Sequence, residues 1–217
     1  MNRMDLAELV GLEWMRDAGL NGEGFWTVKG GRIAIGVVLL GTADDRIVVV
    51  RKKGVGGYEF SEMLALPGGI TRGEGKTSFE GCVEQSIFSR AGDEAGLRAE
   101  NIVDIRLLAP DFVPVTRYTA KGAERFTAVL TVQASLKKAV RLAPSRKSIS
   151  EAFYAALPLD WKSFAPANRL ILARALAGRI GPEERAANDS VIDDALAFCN
   201  DAARVVGLPQ LPHPWRP

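Results

Sequence analysis

Two runs of strand character commit this chain to a sheet: residues 32–40 (RIAIGVVLL) and residues 46–51 (RIVVVR), separated only by Gly41-Thr42-Ala43-Asp44-Asp45. Aliphatic and β-branched residues at this density suit a pleated surface, and five intervening residues read as a hairpin loop. A short strand is expected over 62–66, ending at Pro67-Gly68-Gly69, with further strands over 102–108 and 125–134. The polar stretch 116–124 is expected to connect the last two as a hairpin. Between them, Thr77 or Ser78 can cap a helix whose apolar positions run through Cys82, Val83, Ile87 and Phe88, with Glu80 favouring the positive end. Gly92 disturbs that helix and Gly96 ends it. Strands before and after one central helix give an α+β order, unlike the regular strand-helix alternation of a Rossmann sheet.

The ends read differently. Leu6, Leu9, Val10, Leu12 and Met15 form an amphipathic helix opening at Asp5 and stopping at Gly19. Helices are also expected over 167–177 and 191–206, the second followed by a proline-rich tail, Leu208-Pro209-Gln210-Leu211-Pro212-His213-Pro214-Trp215. Such proline spacing forbids a helix, and Trp215 offers an apolar surface for docking on this chain or on a partner subunit.

Composition removes several function classes. At roughly 100–200 residues per domain, 217 residues suit a single core with additions. With 28 Lys+Arg against 26 Asp+Glu, the formal charge is +2, too small for a nucleic-acid footprint or an electrostatic membrane anchor. The longest basic run is Arg51-Lys52-Lys53. Two distant cysteines, Cys82 and Cys199, make no disulfide framework and read as free thiols of a cytoplasmic protein. One histidine, His213 among prolines, leaves histidine-based zinc sites and Ser-His-Asp hydrolysis without support. The acidic residues Asp5, Glu8, Glu13 and Asp17 argue against a targeting peptide, and no apolar run approaches the ~20 residues of a membrane span. Chemistry therefore falls to carboxylates, amides and basic side chains.

One segment carries such chemistry. Leu66-Pro67-Gly68-Gly69-Ile70-Thr71-Arg72-Gly73-Glu74, then a helix closing on Asp93-Glu94-Ala95-Gly96-Leu97, resembles the signature of the Nudix hydrolase family, G-x5-E-x7-R-E-U-x-E-E-x-G-U with U aliphatic. Gly68, Glu74 and the closing residues match, with Asp93 replacing the first acid of the closing pair. Residues 150–159 and 164–169 resemble the family's last strand and closing helix, so the likeness covers about 150 residues, from Gly31 to roughly Arg179. It implies an α/β/α sandwich around a mixed sheet, Mg2+ or Mn2+ as cofactor, and hydrolysis of a diphosphate linkage in a nucleoside diphosphate derivative. Residue by residue, it makes Glu94 and Asp93 the catalytic and metal-holding carboxylates, and Gly68, Gly69 and Glu74 part of the substrate loop. Arg51 and Lys53, with Lys52, can steer phosphates toward that loop.

The physics of such a site is independent of the name. Glycines at a strand-to-loop junction permit positive φ and close backbone approach to a diphosphate. A following helix can present carboxylates to a divalent ion that neutralises phosphate charge and activates water.

The middle of the motif departs from the pattern. Gly68 to Gly96 spans 28 positions where the family spans 21. Counting forward from Glu74, the ligand positions fall on Cys82, Val83, Ser86 and Ile87; counting back from Gly96, they fall on Ser89, Arg90, Asp93 and Glu94. An arginine at position 90 would repel a metal. Glu80 and Glu84 lie about 21 Å and about 15 Å along a continuous helix from Glu94, so only a break near Ser89 or Gly92 could bring them together. Trp26, Tyr58, Tyr118 and Trp161 are candidate base-stacking residues, and Arg117 and Arg125 weaker phosphate contacts.

The expected organisation is an N-terminal helical extension over 1–30, a Nudix-like domain over 31–180, and a C-terminal helix with its tail over 181–217, the added segments being candidate homodimer elements. Two functions remain open: a metal-dependent Nudix-type pyrophosphohydrolase acting on a small nucleotide, and a non-catalytic nucleotide-binding or interaction module on the same fold.

Overall fold

A computed structural model describes residues 13–28, 33–54, 60–73, 78–109, 111–120 and 122–216. In chain order its strands are β1 (Gly19–Leu20), β2 (Trp26–Thr27), β3 (Ile33–Ala43), β4 (Arg46–Lys52), β5 (Leu64–Ala65), β6 (Gly68–Ile70), β7 (Ile102–Leu107), β8 (Val115–Ala120), β9 (Ala123–Leu136) and β10 (Ile149–Ala155). The helices are α1 (Phe79–Ala95), α2 (Pro166–Ala175) and α3 (Pro182–Val206).

The sheet is mixed. β3 runs parallel to β9 from the Ile33–Phe126 pair to the Thr42–Ser135 pair, while β3–β4, β3–β6, β4–β10, β7–β9 and β8–β9 are antiparallel. Alternation along the central strands sends neighbours to opposite faces. Leu39, Val48, Ala128, Leu130 and Val132 join Cys82, Val83, Ile87 and Ala91 of α1 in one apolar cluster. Leu40, Ile47, Val49 and Val129 join Leu170, Ile171 and Leu172 of α2 and Val191, Ile192 and Ala195 of α3 in the other. The sheet is thus sandwiched between α1 and the α2–α3 pair, the architecture expected from sequence.

Several expectations need correction. The β3–β4 connection is two residues rather than five, because Asp44 and Asp45 both adopt positive φ (48° and 60°), as a tight twisted hairpin turn requires. Gly41 to Ala43 therefore stay in the strand. Residues 116–124 are largely strand: Thr116, Arg117, Tyr118 and Thr119 pair with β9, and Ala120 pairs with Ala123. Polarity misled there, since threonine and tyrosine suit an exposed strand as well as a loop. Helix α3 begins nine residues earlier than expected, with Pro182 in its first turn beside Glu183 and Glu184. Of the N-terminal helix, residues 5–12 lie outside the described residues, and Glu13–Met15 form a single 3-10 turn. No helix among the described residues is long and apolar enough to cross a membrane.

The proline-rich tail docks on its own chain. Leu211 is buried, its N–H and C=O bracketed by the Asn200 side chain at 2.7 and 3.1 Å. Trp215 meets Trp161 edge to face at 5.7 Å and donates its indole N–H to Asp189 at 2.7 Å. Arg216 reaches Asp189 and Asp193 at 2.9 and 3.1 Å. The indole and Arg216 together hold the Asp189 carboxyl below its usual range.

Truncation after Gly207 is expected to cost about 2–3 kcal/mol through loss of the buried Leu211 and part of Trp215, about 4–12 °C in Tm by calorimetry. Burial, then the nearby charge of Arg216, lowers the His213 pKa below 6.5 despite Asp193 and Asp189. Folding thus disfavours the imidazolium, so the tail's contribution is complete above 6.5 and falls as pH drops below it.

Candidate functional site

Helix α1 is uninterrupted from Phe79 to Ala95, opened by Ser78, whose hydroxyl accepts the Gly81 N–H at 3.2 Å. With no break at Ser89 or Gly92, Glu80 and Glu84 remain about 21 and about 15 Å from Glu94 along the axis. At the far end Gly96 turns left-handed (φ 71°), and the Leu97 N–H donates back to Ala91 O at 2.9 Å. The chain past β9 then returns to the helix terminus. Ala143 N–H donates to Ala95 O at 3.1 Å, and Ser145 and Arg146 N–H donate to Asp93 O at 3.0 and 2.9 Å. These bonds satisfy carbonyls that a helix end leaves unpaired, and they set Arg146 beside Glu94.

Glu94 is the centre of the arrangement, with only 2% of its side chain exposed. Its Oε2 accepts from Lys52 Nζ at 3.0 Å and from the Gly68 N–H at 3.1 Å. Its Oε1 lies 3.5 Å from Arg90 and 3.7 Å from Arg146 Nε. Lys52 points here because strand alternation places it on the α1 face with Val48, while Arg51 turns to the other face and pairs with Glu151 at 2.6 Å. Arg90 stands one helical turn before Glu94, its guanidinium lying on Gly69 so closely that a Cβ there would come within 2.6 Å of it. Burial, then the like charge of Arg146, pulls the Arg90 pKa below its usual value, with Glu94 opposing.

These groups line a cavity of about 360 Å³. Among the described residues its wall holds Lys52, Lys53, Arg72, Arg90 and Arg146 with one carboxylate, Glu94, beside Gly68, Gly69, Ile70, Phe25 and Ser148. Arg72 stacks over the Phe25 ring at 4.7 Å, and Arg146 Nε donates to Ser148 Oγ at 3.1 Å.

Of the residues expected from sequence, Gly68, Gly69, Lys53 and Glu94 meet at this cavity. Asp93 does not: its side chain is exposed, and its carbonyl serves to hold Ser145 and Arg146. Glu74 lies outside the described residues. Gly68 and Gly69 do not use the positive φ that glycine permits; they form β6, where Glu94 engages the Gly68 N–H and Arg90 covers Gly69. Trp26 and Trp161 are buried in the two apolar clusters, and neither they, Tyr118, Arg117 nor Arg125 line the cavity; Tyr58 is outside the described residues. Sequence reasoning missed Phe25, Arg72 as a basic wall residue, Arg146 and Ser148.

The described residues by themselves do not fit the expected Mg2+ or Mn2+. Among the described residues no group of three or more His, Cys, Asp or Glu could hold a metal ion. Three basic side chains within 3.0–3.7 Å already surround the buried Glu94 carboxylate.

No protein-family model matches the sequence, and neither does any curated protein. Among solved structures the chain is similar to a Nudix hydrolase from Nitrosomonas europaea (12% identity, TM-score 0.49, covering 75% of this chain and 85% of that one). It is also similar to the Nudix hydrolase RenU of M. smegmatis (18%, 0.44, 76% and 96%). A third is the Nudix domain of Shewanella oneidensis NrtR, crystallised with ADP ribose (15%, 0.42, 70% and 82%). The mixed sheet between α1 and the α2–α3 pair is the architecture that the resemblance of the motif implies. The chemistry of the cavity follows from its own residues.

Proposed function

We propose that the chain binds the phosphate groups of a nucleotide in the α1–β6 cavity without a divalent metal, as a non-hydrolytic module on a Nudix-like fold. One observation carries this reading: among the described residues that line the cavity the only carboxylate, Glu94, is encircled by Lys52, Arg90 and Arg146, with Lys53 and Arg72 also on the wall. Basic forks in a partly enclosed site recognise phosphate oxygens directly, by charge-assisted hydrogen bonds that a metal would otherwise replace. Activating water is a different task, requiring carboxylates around an ion, and Arg90 stands where the family pattern has one of them.

The test combines binding and turnover on the full chain. Isothermal titration with ADP is expected to give the same affinity in EDTA as in Mg2+ or Mn2+. No hydrolysis of ADP-ribose, nucleoside diphosphate sugars, dinucleotides or nucleoside triphosphates should accompany it. Metal-dependent turnover lost in Glu94→Gln would instead establish the pyrophosphohydrolase that the resemblance implies.

A further inference from the structure

We infer that Ser148 is a positioning residue of this site: by accepting the Arg146 Nε–H it orients that guanidinium and leaves Nη1 and Nη2 for a phosphate; this rests on the phosphate-binding reading above. Arg146 needs such an orienter. Its side chain is long and 41% exposed, and ordering a side chain of this kind on binding costs about 0.5–1.5 kcal/mol unless the free protein already holds it. The bond from its backbone N–H to Asp93 O fixes where the residue starts, not where the guanidinium points. Glu94 attracts it, but Oε1 stands 3.7 Å from Nε, beyond hydrogen-bond distance, and also faces Arg90. Among the described residues the Ser148 hydroxyl, at 3.1 Å, makes the one hydrogen bond to the guanidinium.

Ser148 can do this because its own place is fixed on both sides. The Ile149 N–H donates to Arg146 O at 3.0 Å, closing a turn around Ser148, and the Ser148 carbonyl accepts the Lys53 N–H at 2.9 Å, tying the turn to the residue after β4. Donor geometry supplies the consequence. A guanidinium carries one N–H on Nε and four on its two Nη groups, in a planar fork. With the Nε–H given to Ser148, the Nη groups of this cavity-lining arginine have no partner among the described residues, and their end-on edge suits two phosphate oxygens at once. Arg90 differs: it stands on helix α1 with its guanidinium packed on Gly69, so no hydroxyl is required to hold it.

The test is isothermal titration of ADP into the full chain in EDTA, at a fixed low ionic strength where weak binding stays measurable. Ser148→Ala, Ser148→Thr, Arg146→Ala and the double variant Ser148→Ala with Arg146→Ala are compared with wild type. Ser148→Ala is expected to weaken ADP about three- to tenfold, the ordering cost of one long side chain. Ser148→Thr, which keeps the hydroxyl, should recover most of that loss. In the Arg146→Ala background Ser148→Ala should change affinity less than about twofold, a coupling that a merely structural serine would not show. Equal losses in the two backgrounds, no recovery with threonine, or unchanged affinity in Ser148→Ala each overturns this inference and leaves the proposed function standing. Failure of wild type to bind ADP overturns the proposed function itself.

Discussion

Glu94→Gln is expected to lower the melting temperature while tightening metal-free binding of ADP, a pair of effects that a metal ligand would not give. The stability loss follows from what the substitution leaves behind. Lys52, Arg90 and Arg146 converge within 3.0–3.7 Å of a carboxylate whose side chain is 2% exposed, and neutral glutamine leaves three cations to repel one another. Removing one partner of a buried pair costs about 3–5 kcal/mol. Lys52 and Arg146 are 23% and 41% exposed, so water screens part of this and about 3 kcal/mol is the better expectation. That is about 6–12 °C in Tm for a chain of this size. The affinity gain follows from the same charge: removing the Glu94 carboxylate takes a negative charge out of the cavity lining, so an anion gains the partners Glu94 gave up.

Two measurements separate this from a merely broken fold. Thermal denaturation of Glu94→Gln should show ADP restoring Tm in EDTA. Adding Lys52→Met should recover part of the loss, because removing both partners of a buried pair costs less than removing one. If Glu94→Gln instead abolished ADP binding while remaining folded, the carboxylate would be a ligand-holding group and its role as counter-ion would be wrong.

The outlines of the sandwich were legible because long-range pairing left local marks. Residues 47–50 are apolar at both parities, which only a strand covered on both faces tolerates, and Ser78 and Gly96 bracket α1 by capping chemistry. The site was legible in half. Glu94, Gly68 and Gly69 match the family motif, and that resemblance assigns them a metal and a diphosphate. In space, Glu94 binds cations of its own chain, Gly68 gives its N–H to Glu94, and Gly69 gives room to Arg90. Strand parity could have favoured Lys52 over Arg51, since Lys52 shares a face with Val48 on the side of α1. Nothing local marks Arg146. It lies in an irregular segment more than 50 residues beyond α1, and it reaches Glu94 only because that segment caps the helix end.

That cap is the most exposed structural dependence of the site, and two glycines test it against each other. Gly96 and Gly207 both end helices with left-handed backbones, φ 71° and 74°. A Cβ at Gly207 meets nothing within 4 Å, whereas at Gly96 it would stand 2.6 Å from the carbonyl oxygen of Ala143 and 2.8 Å from its nitrogen. Gly207→Ala should therefore cost only the conformational penalty, about 1–2 kcal/mol. Gly96→Ala adds a collision with backbone, which cannot rotate away as a side-chain tip can, and overpacking of this kind costs about 1–3 kcal/mol more. The expected sum is about 2–5 kcal/mol, to be read by denaturant unfolding of both variants. The functional split is sharper. Relief of the collision must push the 143–146 segment off the helix end, loosening the bonds from Ser145 and Arg146 to Asp93 O that fix Arg146 in the cavity. Gly96→Ala should thus lose ADP affinity at temperatures where it is fully folded, while Gly207→Ala, at the end of α3 and away from the cavity lining, keeps it. Equal affinities in the two variants would mean that Arg146 does not depend on the cap for its place in the site.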